Sequence, residues 1–232
     1  MKLILITGIN KGLGEALFDY LIDDESYRVV GISRRITQKQ KELLKNNKFI
    51  YVEMDLLNLS NPEEDLKISK LLDDAEEISY INNAATISPI NKIGAFQNNE
   101  IMELLHLNTF VPIVITNYLF KEVQGKKINI INLSSGAATS PIVGWSLYCA
   151  SKAANEMFFK TLKEQEQENE NVNVVNVDPG VIDSGMQEII RTIDEKLFPG
   201  VNDFIELKKN NKLQTPEAAA IKIINRTKLF RR

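Results

Sequence analysis

The 232-residue chain has one cysteine, Cys149, one histidine, His106, and one tryptophan, Trp145. A lone cysteine excludes a disulfide within the chain and fits a reducing cytoplasm. No cluster of histidine, cysteine and acids has metal-ligand spacing, so no metal is expected. No stretch approaches 18 apolar residues, which argues against a membrane span. The apolar start is too short for the core of a secretory signal. Charge of one sign is also scarce: 28 Lys and Arg face 31 Asp and Glu, a net charge of −3. Nucleic acid and anionic membrane surfaces are therefore not expected partners. Linkers rich in Gly, Ser or Pro are missing, and so are internal repeats. With 44% apolar residues, the length suits one α/β domain over residues 1–232.

What is present is an alternation of short apolar runs and helical segments. The runs are Lys2–Thr7, Tyr27–Ile32, Phe49–Met54, Ile78–Ile81, Ile128–Leu133 and Val172–Val177. Runs of this kind read as buried parallel strands, and their alternation with helices predicts a doubly wound parallel sheet. Ser60-Asn61-Pro62-Glu63-Glu64 reads as a helix start, with a polar cap, an early proline and first-turn acids. A polar helix is expected from about Thr37 to Asn46, and a long one from about Asn98 to Lys121 that Pro112 kinks or interrupts. Glu164 to Asn171 reads as a solvated helix end, and Thr215-Pro216-Glu217 as the start of a last helix.

Three glycines, Gly8, Gly12 and Gly14, fill the turn between the first strand and the first helix, around Asn10, Lys11 and Leu13. Glycine permits a tight turn and a close backbone approach. The open N–H groups and positive end of a helix favour a pyrophosphate. The spacing, G-x3-G-x-G, differs from the commoner G-x-G-x-x-G dinucleotide turn. The second strand ends in Ser33-Arg34-Arg35. An acid near that point binds a ribose 2′-hydroxyl, whereas an arginine suits a 2′-phosphate. Arg34 and Lys11 could converge on that extra phosphate, so NADP(H) is expected over NAD(H).

Tyr148 and Lys152 stand one helical turn apart, on one face. A free phenol titrates near pH 10, and bringing it to neutrality requires roughly 3 units, about 4 kcal/mol. A unit positive charge roughly 4 Å away supplies on the order of 4 kcal/mol at an effective dielectric of about 20. The pair predicts a phenol that Lys152 tunes downward for acid-base work.

With these elements placed, the chain resembles the short-chain dehydrogenase/reductase family from Met1 to about Ile224. The matching motifs are Thr7-Gly8-x3-Gly12-x-Gly14, Asp55-Leu56, Asn82-Asn83-Ala84, Asn108, Ser135, Tyr148-x3-Lys152 and Pro179-Gly180 followed by Ser184. The resemblance implies a Rossmann-type fold with helices on both sheet faces, and a catalytic set of Asn108, Ser135, Tyr148 and Lys152. It places Asp55, beside Leu56, on the adenine and Asn83 and Ala84 on the ribose. Pro179, Gly180, Ile182 and Ser184 go to the nicotinamide. It also implies a homodimer through the helices bearing Asn108 and Tyr148. Two departures stand out. Ala85 replaces a usual glycine, and the chain stops at Arg231-Arg232, so the family's seventh strand is expected to be short or missing.

Within the family, Gly144 to Ala154 and Pro179 to Gln187 look like sepiapterin reductases and, still more, the bacterial benzil reductases that form (S)-benzoin. The activity implied is NADPH-dependent reduction of one carbonyl of a vicinal diketone. The pro-S hydride attacks the carbon, Tyr148 protonates the alkoxide, and Ser135 holds the oxygen. Lys152 lowers the tyrosine pKa and binds the nicotinamide ribose, and Asn108 holds a water that refills the proton. Pterin reduction and a non-catalytic NADPH sensor are the alternatives. The pocket is expected to be formed by Ser135, Tyr148, Trp145 and Met186, under a lid at about 185–213. Trp145 either stacks on an aryl group or packs in the wall. Cys149 is expected to be buried filler, and His106 to have no catalytic part.

Overall fold

Six strands form the central sheet of the computed structural model, which describes residues 1–45 and 47–228. The strands are β1 (Lys2–Thr7), β2 (Tyr27–Ser33), β3 (Phe49–Glu53), β4 (Glu77–Asn82), β5 (Lys127–Leu133) and β6 (Val172–Val177). All pair in parallel, in the order β3-β2-β1-β4-β5-β6. Leu3, Ile4, Leu5 and Ile6 of β1 are fully buried. Because a strand alternates sides, Leu3 and Leu5 enter one core while Ile4 and Ile6 enter the other. Helices must therefore cover both faces. α1 (Gly12–Ile22) and α10 (Pro216–Thr227) cover one; α6 (Val111–Glu122) and α7 (Ser146–Gln165) cover the other. Strand order reverses between β1 and β4, and a crevice opens there beyond the carboxyl ends of the strands.

The remaining helices are α2 (Gln38–Leu43), α3 (Pro62–Leu66), α4 (Ser69–Asp74), α5 (Asn98–Leu105), α8 (Gly185–Arg191) and α9 (Val201–Lys209). α2 starts at Thr37, whose side chain and Gln40 form a capping box; Asn46 lies outside the described residues. The helix begins at Pro62, after Asn61, as its start signal predicts, and is short. Lys67 adopts a left-handed φ of 54°, which ends α3 before α4 begins. The long helix expected over 98–121 is two helices joined by a wide π-turn at His106–Phe110. Pro112, in the first turn of α6, has no N–H to return to the Asn108 carbonyl four residues back. The described residues contain no seventh strand, and Arg231 and Arg232 lie outside them. No helix among the described residues is long and apolar enough to cross a membrane.

A row of amides, buried at Asn82 and Asn132, runs across the strand ends beneath α7. Asn82, Asn132 and Asn176 share one register. Asn82 donates to Asn132 at 2.8 Å and Asn132 to Asn176 at 2.7 Å. Asn132 is fully buried, and leaving such a group unpaired costs about 1–3 kcal/mol. The row thus fixes β4, β5 and β6 where the chain leaves the sheet.

α8 and α9 lie in the segment expected to act as a lid. After α9 the chain returns to the sheet side: Gln214 accepts from Asp183 N at 2.8 Å and donates to Val181 O at 3.1 Å. Lys208 also forms an ion pair with Asp183.

Candidate active site

A cleft of about 960 Å³ occupies the crevice beyond the strand ends. One wall is the glycine turn. Gly8 and Gly12 adopt left-handed φ values of 74° and 59°. At Gly14, a Cβ would lie 2.1 Å from the Gly8 carbonyl oxygen, so only glycine closes the turn. Lys11, at the N-cap of α1, makes no side-chain cap bond, so the positive end of α1 faces the cleft uncapped. Asn10 and Leu13 line the same wall. Gln40, buried on α2, donates to Ile9 O at 2.8 Å and pins the turn from behind.

Arg34 follows the last residue of β2; it forms an ion pair with Asp55 at 3.8 Å and is 67% exposed. Its guanidinium thus stays accessible to an anion from solvent. Asp55 also caps the short turn at Leu56–Asn58, accepting from Leu57 N at 3.1 Å. Asn83 Nδ2 donates to Thr7 O at 2.8 Å and Gly8 O at 3.1 Å, while the Asn83 and Ala84 amides donate to Thr7 Oγ1, both at 3.1 Å. These bonds fix the floor of the cleft against β1. Pro179, Gly180, Ile182 and Ser184 line the opposite wall, braced where Asp178 Oδ1 accepts from Gly180 N at 2.9 Å.

Ser135, Tyr148 and Lys152 meet in the middle. Ser135 ends the loop after β5 and caps a short turn, accepting from Ala137 N at 3.2 Å. Tyr148 and Lys152 are 5% exposed, on the cleft face of α7. Lys152 Nζ donates to Leu133 O at 2.9 Å and lies 5.8 Å from the centre of the Tyr148 ring. Burial decides the electrostatics. It pushes the Tyr148 phenol up to about 12, against the pull of the Ser135 hydroxyl and with Asp178 adding to the rise. Burial also pushes the Lys152 ammonium down to about 8, with Asp178 opposing. The downward tuning of Tyr148 by Lys152 expected from their spacing is thus not what the protein produces. Removal from water disfavours the charged form of each group and is the largest cause of both shifts.

On the substrate side, Trp145 packs edge-on to Tyr148 with ring centres 5.8 Å apart, and against Phe198 at 5.1 Å and Phe204 at 5.6 Å. Trp145 is 6% exposed, so the wall-packing reading describes it better than a free stacking platform. Met186, on α8, lines the cleft and packs against this aromatic cluster. Cys149 is half-buried beside the same cluster.

Asn108 does not line the cleft. It is 1% exposed, and its side chain bonds Thr86 N at 2.9 Å, Thr86 O at 2.8 Å and Ser151 Oγ at 3.0 Å. His106 is outside the cleft too, stacked on Phe110 at 4.7 Å. Sequence reasoning passed over Asp178, Ser151, Asn155 and Gln40. Pro112 offered the one available signal, since a proline strands the carbonyl four residues earlier and calls for an outside donor. Ser134, the neighbour of Ser135, donates to Glu156.

The family model for short chain dehydrogenases matches residues 2–194. A "Benzil reductase ((S)-benzoin forming)" of Bacillus cereus is 36% identical over 236 residues, covering 97% of this chain and 93% of its own. A sepiapterin reductase of Xenopus tropicalis is 29% identical over 157 residues, 65% of this chain and 58% of its own. Among solved structures, the KRED1-Pglu enzyme superposes with a TM-score of 0.85 at 24% identity, covering 100% of this chain and 97% of that one.

Proposed function

This chain belongs to the short-chain dehydrogenase family, and from that premise we propose that it is an NADPH-dependent carbonyl reductase acting on a neutral vicinal diketone such as benzil. The observation that carries the reading is one cleft in which the Ser135 hydroxyl, the Tyr148 phenol and the Lys152 amine converge beside an uncapped helix start. The residues present fit a dinucleotide. The open amides at the start of α1 suit a pyrophosphate, and Arg34 with Lys11 suits a 2′-phosphate. Asp55, Asn83 and Ala84 would hold the adenosine half, and Pro179, Gly180, Ile182 and Ser184 the nicotinamide half. When bound, reduced nicotinamide supplies a hydride to the carbonyl carbon. Tyr148 gives its proton to the resulting alkoxide, and with a pKa of about 12 it is fully loaded at neutral pH. Ser135 holds the same oxygen by a hydrogen bond that strengthens as charge develops. Lys152, with its pKa near 8, is mostly an ammonium at pH 7 and favours negative charge on that oxygen and on the phenol.

Among the described residues, the Lys and Arg side chains lining the cleft are Lys11, Arg34 and Lys152, and Asp55, Glu100, Glu103 and Asp178 line it too. That balance of charge suits an uncharged ligand over a carboxylate. A screen of cofactor oxidation with benzil, 1-phenyl-1,2-propanedione, sepiapterin, simple ketones and a 2-oxo acid tests the reading, with NADH as control. Turnover of the diketones with NADPH supports it. Binding of NADPH without turnover of any of them would make the protein a sensor instead.

The choice of cofactor has its own test. Arg34→Ala removes a charged bidentate donor, worth about 1.5–3 kcal/mol to a phosphate. The KM for NADPH should rise at least about tenfold while that for NADH stays nearly unchanged; equal loss for both would assign Arg34 to another task.

We also propose a homodimer. Met102 on α5, Phe110 on the π-turn and Met157 on α7 are exposed apolar side chains, at 71%, 42% and 63%, on the helices that carry Asn108 and Tyr148. Light scattering should give twice the chain mass of 26.3 kDa; a monomer at assay concentration refutes this.

A further inference from the structure

Asp178 follows β6, is exposed, and lines the cleft beside Pro179 and Gly180. Its two oxygens have different surroundings. Oδ1 accepts from Gly180 N at 2.9 Å, which ties it to the wall assigned to the nicotinamide half. Oδ2 has no hydrogen-bond partner among the described residues and lies over the turn after Ser135: a Cβ on Gly136 would be 3.7 Å from it. The carboxylate thus stands between the loop of the catalytic serine and the nicotinamide wall. Its charge reaches both buried catalytic groups, favouring the protonated form of Tyr148 and of Lys152. The other acids of the cleft are placed differently. Asp55 pairs with Arg34, Glu100 accepts from Gln97 N at the start of α5, and Glu103 is on α5 itself.

Reduced nicotinamide is a neutral ring, and loss of a hydride leaves it a cation. The Lys152 ammonium opposes that new charge, whereas a carboxylate on the wall of the ring favours it. We propose that Asp178 sets the reducing power of the bound cofactor: its negative charge favours the cationic oxidised ring over the neutral reduced one, and so makes the bound dinucleotide a stronger hydride donor. The inference rests on the reading of Pro179, Gly180, Ile182 and Ser184 as the nicotinamide wall, and needs neither NADP over NAD nor a diketone. In the reaction a C–H bond of the reduced ring breaks, and its hydrogen and electron pair form the new C–H bond of the alcohol. The carbonyl oxygen takes the Tyr148 proton, and the oxidised ring is left with one positive charge beside Asp178.

Asp178→Asn keeps the size and, through its amide oxygen, the bond from Gly180 N, so it removes only the charge. Calorimetric titration of wild type and variant with oxidised and with reduced cofactor, NADP(H) and NAD(H) alike, reads the effect without turnover. The Kd of the oxidised form should rise about fivefold, as for unit charges roughly 8 Å apart at an effective dielectric of about 40, while that of the reduced form stays within about twofold. The phosphates are common to both forms, so the ratio of the two Kd values isolates the ring. Asp178→Glu, which keeps the charge, should hold the ratio near that of the wild type. A merely structural aspartate would weaken both forms together or neither, and a ratio unmoved in Asp178→Asn overturns the proposal. Should that variant fail to fold, Asp178→Ser, which also loses the charge, decides by the same ratio. A wild type that turns over no diketone would refute the proposed activity and leave the ratio to decide the role of Asp178. A wild type that binds neither form of either cofactor would refute both.

Discussion

Tyr148→Phe should lower kcat for benzil by at least about 10²-fold, within the roughly 10²–10⁴-fold range of general acid catalysis, and leave NADPH affinity nearly intact. The change deletes one oxygen and keeps the ring, so the edge-on packing against Trp145 survives. Ser135 loses its phenol neighbour but keeps its bond from Ala137 N. Stability should therefore change little, and the loss can be read as chemistry rather than unfolding. In reduction, hydride arrival turns the carbonyl oxygen into an alkoxide, a far stronger base than a phenolate. A tyrosine held near 12 can thus protonate it downhill without prior activation. A falling kcat and kcat/KM with steady cofactor binding would mark an interaction made in the transition state. Turnover at the wild-type rate would mean that the proton comes from another donor, and the assignment of Tyr148 would fall.

The parts of this protein that could be read in the sequence are those whose physics is local. β1 is buried on both faces, so it shows as an unbroken apolar run from Leu3 to Ile6. The glycine turn shows because only glycine tolerates the φ of Gly8 and Gly12 and the contact at Gly14. Tyr148 and Lys152 show because one helical turn separates them. What escaped notice depends on partners far apart in the chain. The bond from Asn155 to Asn108 spans 47 residues, and the amide row joins Asn82, Asn132 and Asn176 only once strand order is fixed. Pro112 advertised a break but not its form. The sign of the Tyr148 shift was also out of reach, since spacing gives the charge and hides the burial. Coulomb attraction alone promised a phenol tuned downward; desolvation of both groups reversed it.

That reversal leads to an opposite pairing of effects for Lys152→Met: activity should fall while stability at neutral pH holds or rises. Losing the ammonium removes its pull on the developing charge, and removal of such a preorganised donor costs about 10²–10³-fold in turnover. For stability the argument runs through protons. Lys152 titrates near 8 in the folded chain, against 10.5 in a free side chain. That difference amounts to about 3 kcal/mol of burial penalty, present in full below pH 8. Between about pH 8 and 10.5 the unfolded chain binds the proton that the folded chain has released, so wild-type stability gains as pH rises through this window. Methionine pays no such penalty, but it leaves Leu133 O without its donor, a loss of about 1–3 kcal/mol. The variant should therefore match or exceed the wild type by on the order of 1 kcal/mol at pH 7 and fall below it by pH 10.5. Other tyrosines and lysines titrate alike in both proteins and cancel in the difference. Urea unfolding of both at several pH values measures the crossing. A gap between the two curves that stays constant from pH 7 to 10.5 would show that Lys152 carries no such burial penalty, and the electrostatic account of the site would fail with it.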